Sequence, residues 1–208
     1  MTPAWAIILL GALAVSVWGL WGHLRRTLAR PWRPELSRAA GSPGRGVIYA
    51  FTWGMAPWAK ESTRLHLLAY LRGVVFHVGI AAGLAGLALI PWRAAVPAAG
   101  EGAIAVAAAA GAVAGWGGLL VRVTEHNLRA VSTPDDLFSV ALVSAFLSAG
   151  AGAWWGPRWT APYLALGALT LVAIPLTKIR HCFYFFFSRY FFGLFYGRRG
   201  VVGGVQHE

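Results

Sequence analysis

Long apolar runs separated by basic stretches set the plan of this chain. The first run, residues 4–20, is near the length needed to cross a bilayer. It follows a bare Met-Thr-Pro start without the basic leader or small-residue cleavage site of a secretory signal, so it reads as a retained first helix. Residues 23–65 are polar by contrast and carry Arg25, Arg26, Arg30, Arg33, Arg38, Arg45, Lys60 and Arg64 among Pro and Gly, which predicts a basic loop. Inside it, 47–58 is apolar and aromatic but broken by Gly54 and Pro57, as expected of an interfacial segment. Four further apolar runs, 73–91, 103–121, 137–155 and 162–177, each approach spanning length. The tail, 182–208, opens on a ring-rich segment containing Phe183, Tyr184, Phe185, Phe186, Phe187, Tyr190, Phe191 and Phe192 and then turns basic at Arg198 and Arg199. It reads as a continuation of the fifth helix that then lies along the membrane surface. The pattern predicts an all-α, polytopic membrane helix bundle of about five transmembrane helices, one domain over 1–208.

Composition agrees. Of 208 residues, 58% are apolar and only 12% charged, which suits burial in lipid. Eleven Trp and 26 Gly fit the same environment, because indole collects at bilayer interfaces and glycine lets helices approach closely. Trp92, Trp154, Trp155 and Trp159 fall at one set of span ends, where a headgroup location is expected. Sixteen of the 18 Lys and Arg lie on one side of the predicted spans, leaving Arg93 and Arg158 on the other. By the positive-inside rule the N-terminus is outside and the C-terminus cytoplasmic, in a multi-pass protein of the cytoplasmic (inner) membrane. A net charge of +11 does not indicate nucleic acid here, since the basic residues punctuate apolar runs instead of gathering on a polar face.

The single Cys182 excludes an intramolecular disulfide, a cysteine-ligated iron–sulfur cluster and a Cys-rich zinc site, so any metal needs histidine or a cofactor. Of His23, His66, His77, His126, His181 and His207, only His77 lies well inside a span, roughly 7.5 Å beyond Arg72 along a helix. A buried imidazole there calls for a metal or a partner on another helix. His181 closes the fifth predicted helix on the same side, and antiparallel second and fifth helices would set the two rings at comparable depth, about 21 and 28 Å from the far ends. Two such imidazoles suit the axial positions of a b-type haem, although a membrane histidine also serves simply to hydrogen-bond between helices. Arg72, Lys178 and Arg180 are placed to pair with haem propionates, or form an ordinary basic rim. Gly73 and Gly79 would leave room for a porphyrin, or serve as packing contacts. His66, eleven residues before His77, and His126 are candidates for a quinone site or a second ligand. Ser132, Thr133, Asp135 and Asp136 ahead of Leu137 have the makings of a helix N-cap.

Three short segments, Val75-Phe76-His77-Val78-Gly79-Ile80, Arg129-Ala130-Val131-Ser132-Thr133-Pro134-Asp135-Asp136 and Pro175-Leu176-Thr177-Lys178-Ile179-Arg180-His181, give the chain a resemblance in order and spacing. From the second span onward it resembles the gamma subunit of respiratory nitrate reductase and related membrane cytochromes b, including those of heterodisulfide reductase and of sulfite-reductase-associated complexes. The resemblance implies two haems stacked across the membrane, each held by one histidine of the second helix and one of the fifth. His77 and His181 match the inner pair. The outer pair falls on Leu87 and Tyr163, neither a ligand for such a site, so the resemblance implies one haem b.

The function expected is electron transfer: a subunit of an oxidoreductase complex, not a stand-alone enzyme, that exchanges electrons between the quinone (or menaquinone) pool and a cytoplasmic iron–sulfur subunit. No catalytic side chain is assigned, because the redox chemistry belongs to the cofactor. The alternatives are a haem-free membrane anchor and, with less support from the span chemistry, a small transporter. Carriers place several polar groups near midplane on broken helices or inverted repeats, and neither is evident in the spans.

Overall fold

A computed structural model describes residues 2–31, 38–59 and 61–202; Arg33, Lys60 and His207 lie outside the described residues. Among the described residues the regular structure is helical throughout: α1 (Pro3–Leu28), α2 (Pro43–Phe51), α3 (Glu61–Leu65), α4 (Leu67–Leu89), α5 (Ala98–Thr124), α6 (His126–Ala130), α7 (Pro134–Trp155), α8 (Thr160–Ala173) and α9 (His181–Arg198), with short 3-10 turns between them. Among the described residues four stretches are long and apolar enough to cross a membrane: α1, Leu67–Ala95, α5 and α7. A fifth exists only if the broken pair Pro157–Ala173 and Lys178–Arg198 is one span. The all-α membrane bundle expected from the sequence is what the chain forms.

The chain divides into two compact units, one of Met1–His23 with Leu71–Ile179, the other of Leu24–Tyr70 with Arg180–Glu208. In the first, α7 is the central helix: 61% of its apolar window is buried, against 11% for α1. Phe146, Leu147, Ala149, Ala153 and Trp154 of α7 meet Leu87 of α4, Ala105 and Ala112 of α5, and Tyr163 and Leu164 of α8 in one cluster. Small residues set the spacing. A Cβ on Gly79 would stand 2.5 Å from the Gly111 Cα, so α4 and α5 cross with their backbones in contact, as helices do where lipid supplies no hydrophobic drive and packing must hold them. Gly79 is therefore a packing contact and makes no room for a porphyrin.

Polar devices fix the helix ends. Thr133 caps α7, its hydroxyl accepting from the Asp136 N–H while the Asp136 carboxylate accepts from the Thr133 N–H, with Pro134 in the first turn where a missing N–H costs nothing. This is the N-cap expected from the sequence. At the other end Arg93 donates to the Ala153 and Trp154 carbonyls and to both oxygens of Glu101. Trp154 is only 2% exposed and lies under the Arg93 guanidinium at 5.4 Å, so it is a core residue and not the headgroup anchor that its position suggests. Trp92 and Trp155, 65% and 77% exposed, keep that role open.

Two other expectations are corrected. The fifth helix is short, 14 residues or about 21 Å, less than the hydrocarbon core of about 30 Å. It stops at Ala173 because Pro175 has no N–H to continue the ladder and its ring packs against Gly19, while the His23 Nε2–H donates to the Pro175 carbonyl at 2.9 Å. His181 consequently begins α9 and does not close the fifth helix. Residues 23–65 are also not a plain loop: α1 runs on to Leu28, and α2 and α3 follow.

In the second unit α2 and α9 form an antiparallel pair. A Cβ on Gly46 would run into the Gly193 carbonyl oxygen and lie 2.5 Å from the Gly197 Cα, so the two backbones touch. At the far end of the pair the Phe51 ring stacks on Phe186 at 6.4 Å and meets Phe185 edge-on. The 3-10 turns at Trp53–Met55 and Pro57–Ala59 follow the breaks at Gly54 and Pro57, and the Tyr70 hydroxyl donates to the Met55 carbonyl.

Candidate functional site

His77 sits in the first half of α4. The small residues Gly79, Gly83 and Gly86 face the interior, and 100° per residue puts His77 on the opposite side of the helix, with exposed Val74, Val78, Ala81 and Leu84. Its Nδ1 lies 2.7 Å from the Gly73 carbonyl oxygen. A carbonyl only accepts, so Nδ1 carries the proton and the lone pair is on Nε2. Metal-binding histidines use this same arrangement: a backbone carbonyl fixes the tautomer and ring orientation and raises the basicity of the other nitrogen. Gly73, one turn earlier on the same face, has no atom within 4 Å of where its Cβ would be, so the backbone beside the ring is open. The preceding Phe76 turns inward onto Gly115, its ring edge-on to the imidazole at 6.1 Å.

The other residues singled out in the sequence fall in different surroundings. Arg72 lies half-buried with its guanidinium over Gly118 of α5, 140° around the helix from His77. Lys178 is tied to the start of α7: its ammonium is 2.6 Å from Asp136, and both Asp135 oxygens accept from its backbone N–H. Arg180 precedes α9 at the N-cap position without a side-chain cap bond, and His181 is the first helical residue, exposed and beside Cys182. His66 occupies the exposed turn before α4, and His126 opens the short α6, also exposed.

The positions matching the outer pair are packed shut. Leu87 and Tyr163 both belong to the core cluster. The Tyr163 hydroxyl donates to the Gly83 carbonyl, and its ring stacks on Phe146 at 5.3 Å. A Cβ on Gly167 would strike Leu87 at 2.8 Å, and one on Gly150 would strike the Tyr163 ring at the same distance. A porphyrin does not fit among these side chains. For a single haem the donor chemistry of His77 does fit, with its tautomer already set and the adjoining backbone open.

Sequence reasoning missed two polar contacts. Arg93 and Glu101 pair across eight residues, and Asp135 holds the Lys178 backbone 43 residues away. The first had a local signal, opposite charges flanking the Pro97 turn; the second had none. Compared with known proteins, the chain matches no family model, no curated protein and no solved structure.

Proposed function

We propose that this chain is the membrane-anchoring b-type cytochrome subunit of a quinone-linked respiratory complex, passing electrons between the quinone pool and an iron–sulfur subunit on the cytoplasmic face. The observation that carries the reading is the His77 imidazole, held by Gly73 through Nδ1 on an exposed apolar face of a membrane helix. His77 would hold the haem iron, with His181 as the partner that the resemblance implies. When bound, the haem supplies one-electron transfer. The chain's own residues orient the ligand through Gly73, leave the adjoining backbone bare at Gly73, and close the Leu87–Tyr163 level with packed side chains. Arg180 is the basic residue adjoining His181 and is assigned to propionate binding, as are Arg72 and Lys178, the last in exchange for its Asp136 contact. His66 and His126, each exposed, are the candidates for the quinone site.

The test is a reduced-minus-oxidised absorption spectrum of the purified chain. A b-type spectrum with a haem-to-protein ratio near one is expected. His77→Ala and His181→Ala should each abolish haem retention, while His66→Ala and His126→Ala should leave it. A ratio near two, or loss of haem with His66→Ala alone, refutes the ligand assignment, and no reducible spectrum leaves the haem-free anchor as the reading.

A further inference from the structure

Arg72 and Arg122 meet at one end of the seam between α4 and α5. The two helices cross at Gly79 and Gly111, and Arg72 and Gly118 each lie about 10.5 Å along their helices from that crossing. At this level the Arg72 Nε stands 3.5 Å, and its Cζ 4.0 Å, from the place of a Gly118 Cβ. Arg122 follows one turn later on the same side of α5, where Cβ atoms four residues apart are about 6 Å from each other. Both arginines are half-buried, and their guanidiniums share one patch. The Arg122 Nη1 donates to the Ser132 hydroxyl at 3.1 Å, and among the described residues no carboxylate pairs with either arginine. The acidic residues of this unit are all described. Glu101 is taken by Arg93, Asp136 by Lys178, and Asp135 by the Lys178 backbone and the Ser139 hydroxyl, while Glu125 makes no ion pair among the described residues. Beyond the arginines the seam is apolar: Val75, 40% exposed, lies one turn from Arg72 toward the crossing, Ala114 one turn from Gly118, and Gly117 has nothing within 4 Å of its Cβ position.

From this we infer that the α4–α5 seam binds the phosphate of an anionic membrane phospholipid, with Arg72 and Arg122 on the phosphate oxygens and an acyl chain descending past Val75 and Ala114. Two like charges in a half-buried patch without a counter-ion are costly, and an anion held between them removes the cost. A guanidinium offers five N–H donors in a fork that fits phosphate, and the Ser132 hydroxyl uses only one of those on Arg122. At the opposite end of the unit Arg93 has no such demand, since Glu101 and two backbone carbonyls take up its donors. Inorganic phosphate presents the same oxygens. The seam favours the lipid because it runs from the arginines into an apolar span, and basic pockets between membrane helices are where anionic headgroups are held. The inference gives Arg72, which lies 140° around α4 from His77, to this phosphate instead of a haem propionate. It stands whether or not a haem is bound.

The test titrates the full chain in detergent with phosphatidylglycerol or phosphatidylcholine of identical acyl chains and reads bound lipid by native mass spectrometry. The wild type should retain the anionic lipid with about tenfold preference. Arg72→Gln with Arg122→Gln should remove most of that preference. Arg129→Gln with Arg158→Gln, which takes the same charge from two exposed positions, should leave it within about twofold. Arg72→Gln alone breaks no hydrogen bond among the described residues, so it should lower the preference severalfold with an unchanged thermal melt. Equal retention of the two lipids by the wild type overturns the inference, as does an undiminished preference in Arg72→Gln. An equal loss in the Arg129 and Arg158 variant overturns it by showing that the lipid reads overall charge. Displacement of phosphatidylglycerol by an equal concentration of inorganic phosphate overturns it in favour of a site for soluble anions.

Discussion

Tyr163 offers a sharp test of the claim that the Leu87–Tyr163 level is a packed core. The side chain is fully buried and does two separable things: the hydroxyl donates to the Gly83 carbonyl of α4, and the ring fills the space between Phe146 and Gly150 of α7. Tyr163→Phe removes the first and keeps the second. The Gly83 carbonyl retains its helical partner, so the loss is that of one interhelical hydrogen bond in a membrane protein, about 0.6–1.5 kcal/mol. Tyr163→Ala removes both. In water a buried aromatic truncated to Ala costs about 3–5 kcal/mol, but the reference state here is also apolar, so the cavity and lost ring contacts dominate and the lower end, about 3 kcal/mol, applies. Reversible unfolding in mixed micelles with rising mole fraction of denaturing detergent, followed by tryptophan fluorescence and far-UV circular dichroism, gives both values. A Tyr163→Ala penalty below about 1 kcal/mol would mean that the level is loosely filled, and the argument against an outer haem would fail with it. Equal penalties for Phe and Ala would place the energy in the hydroxyl, contrary to the packing.

Other variants probe the remaining joints, each read by the same unfolding assay. Gly79→Ala should destabilise by about 1–3 kcal/mol, because the new methyl meets the Gly111 backbone and not a side chain that can move, whereas Gly117→Ala, in open space on α5, should be neutral or gain up to about 1 kcal/mol of helix propensity. Thr133→Ala should cost about 1 kcal/mol through the lost N-cap of α7. Arg93→Met should cost about 1–2 kcal/mol, chiefly through the two carbonyls at the end of α7; the ion pair itself is 27% exposed on both partners and adds little after screening. A larger effect for Glu101→Gln than for Arg93→Met would reverse that ranking.

The spans were legible because an apolar run of near-spanning length has few other readings, and the Thr133–Asp136 cap was legible because its signal is local. The fifth helix was harder to read. Residues 162–177 are apolar throughout, yet the helix ends at Ala173, since Pro175 is used to receive α1 at Gly19 and His23, a contact more than 150 residues away in sequence. Trp154 misled for a related reason. Its position at a span end matches a headgroup anchor, and only the Arg93 guanidinium reaching back from the α4–α5 connection makes it interior. Gly79 carried two sequence readings, of which packing is the commoner in membrane helices, and the Gly111 contact decides for it. The α2–α9 clamp left no trace in local pattern, because its glycines, 46, 193 and 197, acquire meaning only when the two segments meet.

His77 differs in its placement from several other polar groups of the spans. Ser139 bonds to Asp135, Ser148 to the Ser144 carbonyl and to Trp116, and Thr177 to the Ala173 carbonyl, so their hydroxyls are absorbed by helix ends and helix crossings. The imidazole instead stands on the face of α4 that turns away from the interior, among Val74, Val78 and Ala81. One nitrogen is satisfied within the helix at Gly73, and that bond fixes the second nitrogen as an acceptor. His77→Leu tests the ligand role without reference to activity: it keeps an apolar side chain of similar size and removes the nitrogen, so with haem supplied it should abolish the stabilisation that the cofactor gives the wild type. Haem stabilisation that survives His77→Leu would take from the cytochrome reading the observation that carries it.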